Sequence, residues 1–504
     1  MARPVNLGPR AVRTNDGKWE RGEPVELDAD ALVRHAFVCG ASGAGKTVFS
    51  KGLVEEAALA GIPVVAVDLK GDLASLALTG AHADPAALAA VFGDEGPAVA
   101  AEYRAGAERH GVDAERARRY ADQACVRLFT PNSSLGRRVA LSALPSFPDP
   151  PGSALEREER DELIQALVLG FAHSMYGSPA AVKKNEPAVK VVEELVRWCA
   201  NRGEPLEGAA GVSRILELVR EPPFDAMGGM PLEQYLPLRD KQRLMQKLNS
   251  RLLGAERSRY EGPRLSIETL LEGVPAGKTP LSIVYLGHIS DFTEQASILG
   301  LLCADVYRWM RKTGGSSGTR LLLYVDELGG GDAKHAFYPS APHNPPSKAP
   351  LNLLVRQGRS AGVAMLLATQ NPMSVDVRGL GNINTWAIGR LTRKNDHARI
   401  EDLLARLPEG PPTPTQVVSQ LPQGVMLAMS DALSGPTYVF GRWLYSVHRQ
   451  LSPGAVGTIS QLTDHRPPEP IEPPPAARPQ AAAPAAPSPP AADLEDPPAD
   501  IDPE

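Results

Sequence analysis

Cysteine is scarce in this chain. Cys39, Cys125, Cys199 and Cys303 are scattered without metal-ligand spacing, which excludes a disulfide framework or a zinc module. They read as small apolar side chains for a reducing cytosol, and two of them fall inside apparent strands. Long apolar runs are also lacking: none approaches the roughly 18 residues of a bilayer-crossing helix. The first residues, MARPVNLGPR, have no apolar core of the signal-peptide kind. The expectation is a cytoplasmic protein with no membrane partner. Aromatic residues make up only 5%, too few for broad stacking platforms on single-stranded nucleic acid. Charge of one sign is missing as well. The net is −6, but nine acids and two arginines from Asp464 onward contribute −7, leaving the body near +1. A near-neutral body limits any nucleic-acid contact to a local patch or a pore lining.

What the chain does have is His35 to Ser50, HAFVCGASGAGKTVFS. Ala36, Phe37 and Val38 suggest a buried strand, and a helical pattern resumes at Val48. Between them, Gly40, Ala41, Ser42, Gly43, Ala44, Gly45, Lys46 and Thr47 fit the G-x-x-x-x-G-K-[ST] phosphate-binding loop. Its glycines let successive backbone N–H groups turn inward on a polyphosphate, and the following helix, with Val48 in its first turn, adds its positive end. Lys46 is expected to reach the terminal phosphates of ATP, and the Thr47 hydroxyl to ligate Mg²⁺.

A second run, Leu321-Leu322-Leu323-Tyr324-Val325, ends in Asp326-Glu327. An acid at a strand tip can hold Mg²⁺ through water, and its neighbour can polarise the attacking water. This assigns Asp326 to the metal and Glu327 to general-base catalysis. The next strand, Val363 to Thr369, ends in Gln370-Asn371-Pro372. If that strand lies beside the phosphate-loop strand, Gln370 points at the γ-phosphate; a simple turn is the competing reading. Upstream, Arg356 and Arg359 sit at the end of a helix spanning Leu351 to Arg359, where an arginine can act on a neighbouring subunit's nucleotide.

The rest organises around these motifs. Pro63 to Asp68 is a continuous apolar run ending in an acid, suited to a parallel strand covered on both faces, and Gly71-Asp72-Leu73 turns at its carboxyl end. Short helices are expected from Asp84 to Ala124, then a strand at Val126 to Phe129. Residues 155–260 read as a packed helical block: Leu163, Ile164, Leu167, Val168 and Phe171 share one face, as do Val192, Leu195 and Cys199, and Val212, Ile215 and Val219. The block ends in a basic strip, Arg239, Lys241, Arg243, Lys247, Arg251, Arg257 and Arg259, read as a solvated face or a DNA-facing surface. Further strands are expected at Leu281–Leu286, Thr385–Arg390, Val425–Met429 and Thr437–Phe440. The Pro/Ala-rich acidic segment from Asp464 buries too little surface to fold. The expected layout is a core from 1–150, an α-helical insertion over 151–275, the second part of the core over 276–463, and a disordered tail over 464–504.

In that order, RHAFVCGASGAGKT, VVAVDLKGDL, LLLYVDEL, RQGRSAGVAMLLATQNP and NTWAIGRL resemble the HerA/FtsK group of P-loop ATPases, most of all its bacterial HerA-like members. The resemblance runs from about residue 34 to 440 and is loose over 85–310. It implies an α/β, RecA-like fold with a mainly parallel sheet, a homo-hexameric ring, and ATP-driven movement of double-stranded DNA. It carries phosphate-loop roles to Lys46 and Thr47, acid roles to Asp326 and Glu327, a sensor role to Gln370 and a trans arginine finger to Arg359. Residues 1–34 leave no room for the N-terminal barrel by which archaeal HerA helicases dock a nuclease. The membrane helices and winged-helix domain of FtsK proteins are not evident either. A nuclease or other protein partner is therefore unspecified, and an ATP-driven switch acting on proteins without DNA stays open. A metabolic kinase fits less well, because Glu327 suits water activation.

Overall fold

In the computed structural model, which describes residues 3–79, 85–405 and 413–463, the continuous apolar runs become the middle of one sheet. The tail expected from residue 464 lies outside the described residues. In chain order the strands are β1 (Pro4–Arg13), β2 (Trp19–Asp28), β3 (Ala36–Cys39), β4 (Val64–Asp68), β5 (Ala124–Pro131), β6 (Arg137–Val139), the small hairpin β7 (Ala226–Met227) and β8 (Met230–Pro231), β9 (Thr279–Tyr285), β10 (Leu321–Val325), β11 (Val363–Thr369), β12 (Thr385–Ile388), β13 (Val425–Met429) and β14 (Thr437–Phe440). All but the hairpin join a 12-stranded sheet ordered β2-β1-β14-β13-β12-β3-β11-β10-β4-β9-β5-β6. From β12 to β6 every neighbouring pair is parallel. From β12 back to β2 every pair is antiparallel.

Strand alternation distributes the two halves of the core. Phe37 and Cys39 point into one apolar cluster, shared with Leu163, Val192, Leu302 and Leu354 of the overlying helices. Ala36 and Val38 point into the other, shared with Phe49, Leu53 and Val54 of helix α1 (Lys46–Leu59). A strand buried on both faces must be apolar at every position, which is why β3, β4, β10 and β11 read as unbroken runs. Leu163, Ile164, Leu167, Val168 and Phe171 are all buried on the helix Ala154–Tyr176. Val192, Leu195 and Cys199 are buried on Glu186–Arg202, and Val212, Ile215 and Val219 on Gly208–Arg220. All four cysteines are free and buried.

Two features differ from the sequence expectation. β1 carries Gly8 and Pro9 and reads poorly as a strand, yet it pairs with β2 through two register shifts. Gly8 is required there: its φ is 125°, and a Cβ would fall 1.9 Å from the Phe440 carbonyl oxygen. The helix before β11 ends at Gln357, and Gly358–Ala361 form a tighter turn that holds Arg359.

The rear of α1 is fixed by buried charge. Glu55 and Glu56 are fully buried. Glu55 accepts from Arg442 at 2.6 Å and from the N–H groups of Tyr445 and Ser446 at 3.1 and 2.8 Å. Glu56 pairs with Arg116 and accepts from the Tyr445 hydroxyl and the Asn6 N–H, both at 3.0 Å. Removing one partner of such a buried pair costs about 3–5 kcal/mol, so the helix has little freedom to turn, and its first residue, Lys46, is placed with it.

Candidate active site

Every motif with assigned chemistry, Arg359 excepted, lies at the carboxyl ends of neighbouring parallel strands. Cys39 of β3 stands opposite Thr369 of β11, Leu367 opposite Val325 of β10, and Val325 opposite Val67 of β4. Continuing that register by one or two residues brings the loop at Gly40 beside Gln370, and Asp326 beside Asp68. Ligands gather at this edge of open α/β sheets.

The loop from Gly40 to Thr47 is shaped by its glycines and by its neighbours. Gly43 and Gly45 have φ of 75° and 98°, values that favour glycine. A Cβ on Gly45 would also meet Gly424 Cα at 3.1 Å. The Gly424 N–H donates to Ala44 O at 3.1 Å, and the Ala41 N–H donates to Arg390 O at 2.7 Å. Gly45 is the N-cap of α1 and offers no side-chain cap, so the helix's first N–H groups face the loop. Ser42 is exposed, and Thr47 and Val48 are partly buried. Lys46 is buried, and its Nζ donates to Ala41 O at 3.2 Å. Burial lowers its pKa, opposed by the charges of Glu327 and Asp326. The lysine and both acids therefore share one electrostatic site.

Asp326 and Glu327 are 5% and 8% exposed. Burial, then repulsion from Glu327 and Asp68, pushes the Asp326 carboxyl up to about 7. A divalent cation would relieve that crowding, and the donors suit Mg²⁺, which takes one or two protein oxygens and fills its shell with phosphate and water. Thr47 and Asp326 are the residues that would hold it. Among the described residues no cluster of three or more His, Cys, Asp or Glu side chains could hold a metal alone. Glu327 has φ of 52°, a left-handed conformation uncommon for a residue with a Cβ. Gln370 is partly buried at the tip of β11.

The structure does not bring Arg359 to this edge. It is exposed at the amino end of β11, separated from Gln370 by a seven-residue strand, on the order of 20 Å at the usual rise. It lines a separate cavity of about 680 Å³ with Arg34, Arg356 and Asp431. A cleft of about 1140 Å³ lies between the helices Ala154–Tyr176, Glu186–Arg202 and Lys348–Gln357; its lining includes Arg356 but none of the phosphate-loop residues, Asp326, Glu327 or Gln370. The basic strip is partnered within the chain but mostly not buried: Arg239, Arg243, Lys247 and Arg257 stay exposed, and of the seven only Arg251 is buried. Arg251 is buried against Glu256 and the Ser174 carbonyl, Lys241 and Lys247 donate to the carbonyls of Arg220 and Met175 at 3.0 and 3.2 Å, Arg257 pairs with Glu261 and Arg259 with Glu294. Arg239 and Arg243 point outward beside Asp240.

Sequence reasoning assigned no role to Lys70, which the structure places against Glu327: its Nζ donates to Glu327 Oε1 at 2.7 Å. The signal was a lysine two residues beyond an acid-tipped strand, in the turn that ends VVAVDLKGDL.

A mainly parallel sheet with a glycine-rich loop at one strand tip and an acid pair at the tip of the next strand but one defines a RecA-like P-loop NTPase fold. Residues 14–92, which include β2, the loop, α1 and β4, match the family model described as helicase HerA-like C-terminal. Among solved structures, the plasmid coupling protein TrwB in complex with the ATP analogue ADPNP is similar at 16% identity, over 88% of this chain and 95% of that one, with a TM-score of 0.48. VirB4 of Thermoanaerobacter pseudethanolicus is similar at 13% identity, over 86% and 96%, with a TM-score of 0.46. No curated protein matches the chain.

Proposed function

We propose that this protein is a Mg²⁺-dependent ATPase of the HerA/FtsK type, a homo-hexameric ring motor that translocates on double-stranded DNA. The observation that carries the hydrolytic part is the convergence of Lys46, beyond β3, with Asp326 and Glu327, beyond β10, at one edge of the parallel sheet, with β11 between the two strands. Lys46 would bind the phosphates, Thr47 and Asp326 the metal, Glu327 would activate water, Gln370 would sense the γ-phosphate, and Arg359 would complete a neighbour's site. In this reading residues 1–150 and 276–463 form the ATPase core, with 151–275 inserted between them. No helix among the described residues is long and apolar enough to cross a membrane, and we place the ring in the cytoplasm.

That Lys241, Lys247, Arg251, Arg257 and Arg259 already hold partners within the chain supports a second reading, an ATP-driven switch that moves protein partners without gripping DNA. The test is the ATPase rate with and without duplex DNA across salt concentrations. Stimulation that weakens as salt rises is expected for a DNA motor; a rate indifferent to duplex at every salt concentration favours the protein-moving switch.

A further inference from the structure

We propose that Lys70 is a positioning residue of the hydrolytic site. It anchors one carboxylate oxygen of Glu327 and so leaves the other directed at the attacking water. This rests on Glu327 being the base.

Lys70 follows β4, whose neighbour β10 carries Glu327 just past its tip. The turn that holds Lys70 is tied from within. The buried Asp68 carboxylate accepts the N–H groups of Lys70, Gly71 and Leu73 at 3.0, 2.8 and 2.9 Å. Three convergent donors on one carboxylate fix the backbone, so the direction of the Lys70 side chain is set by the turn. The Glu327 backbone is fixed as well: the Leu328 N–H donates to Ala368 O at 2.8 Å and the Gly330 N–H to Glu327 O at 2.9 Å.

Between these two fixed segments, Nζ of Lys70 donates to Oε1 of Glu327 at 2.7 Å. A half-exposed lysine paired with a carboxylate is commonly of small consequence. Two observations set this pair apart. Glu327 Oε2 is buried with no hydrogen-bond partner, an arrangement that proteins avoid unless the atom has other work. Glu327 also holds a left-handed φ of 52°, the kind of backbone strain that clusters at reactive sites. A carboxylate with one oxygen anchored and the other buried and unpartnered is suited to accept a proton from one direction only. Positioning of this kind acts on turnover and leaves nucleotide affinity alone.

The experiment is steady-state ATP hydrolysis by the full chain with Mg²⁺. Lys70→Ala should lower kcat by about 10- to 100-fold while KM for ATP stays within about twofold. Lys70→Arg, which keeps a charged donor, should recover most of the loss. If Lys70→Ala does not fold, Lys70→Met keeps the aliphatic stem and replaces it. A raised KM at constant kcat would make Lys70 a phosphate-binding residue and overturn the proposal; so would an unchanged kcat, or a Lys70→Arg variant as impaired as Lys70→Ala. Glu327→Gln separates the two levels. If it turns over ATP normally, the base assignment itself fails. If it is inactive while Lys70→Ala hydrolyses at the normal rate, only the positioning role fails.

Discussion

His35 donates from Nε2 to the carbonyl of Val355 at 3.0 Å, and its Nδ1 accepts the Met365 N–H at 3.1 Å. The Met365 donor fixes the tautomer, because a ring nitrogen that accepts carries no proton. One buried ring thus joins the residue before β3 to the helix before Arg359 and to β11. Burial, with a smaller contribution from the Arg359 charge, lowers the His35 pKa from 6.5 to about 4. Between those values the unfolded chain binds a proton that the folded chain does not. Stability is therefore fully present above pH 6.5 and is lost as pH falls toward 4. From pH 7 to pH 5 the wild type should lose about 2 kcal/mol more than His35→Gln, read from denaturant midpoints at the two pH values. Parallel losses in the two proteins would show that His35 does not titrate in this window.

The two ends of the site should fail differently. Lys46 would contact phosphates already present in the bound nucleotide, whereas Glu327 would matter as water attacks. Lys46→Ala should abolish binding of a fluorescent ATP analogue. Glu327→Gln should bind it with near-normal affinity and lose turnover by at least about 100-fold. Loss of affinity in Glu327→Gln would argue that the carboxylate shapes the pocket.

The sheet and its loop were legible because burial on both faces forces unbroken apolar runs, and β3, β4, β10 and β11 have them. β1 was not. Its pairing depends on Gly8 passing close under the Phe440 carbonyl, a contact with residues far along the chain that no local pattern carries. The Lys70–Glu327 pair escaped for the same reason, since its members are 257 residues apart. The basic strip divides: Arg239, Arg243, Lys247 and Arg257 stay exposed, whereas Arg251 is buried against the Ser174 carbonyl and Arg259 pairs with Glu294, partners that no local pattern carries. Gln370 and Arg359 are near in sequence yet belong to opposite ends of β11. That follows from the strand between them, and it directs Arg359 away from its own subunit's loop.

That separation makes ring assembly testable. With Arg359 on the order of 20 Å from its own loop by strand length, the residue can act on transition-state charge only in another subunit's site. A finger of this kind is worth roughly 10³–10⁵ in rate. Activity per subunit should then rise with protein concentration as subunits assemble. Arg359→Ala should keep nucleotide affinity and lose turnover, since the finger acts on developing charge. Mixing inactive Arg359→Ala with inactive Glu327→Gln gives the sharper result. Some interfaces in a mixed ring pair an intact Glu327 with an intact Arg359 from the next subunit, so activity should partly return. If Arg359 only packs the turn at Gly358–Ala361, its loss falls on its own subunit, no interface supplies what is missing, and the mixture stays inactive. Recovery without stimulation by duplex DNA would retain the ring and favour movement of protein partners. A fully active monomer would remove the ring from both readings.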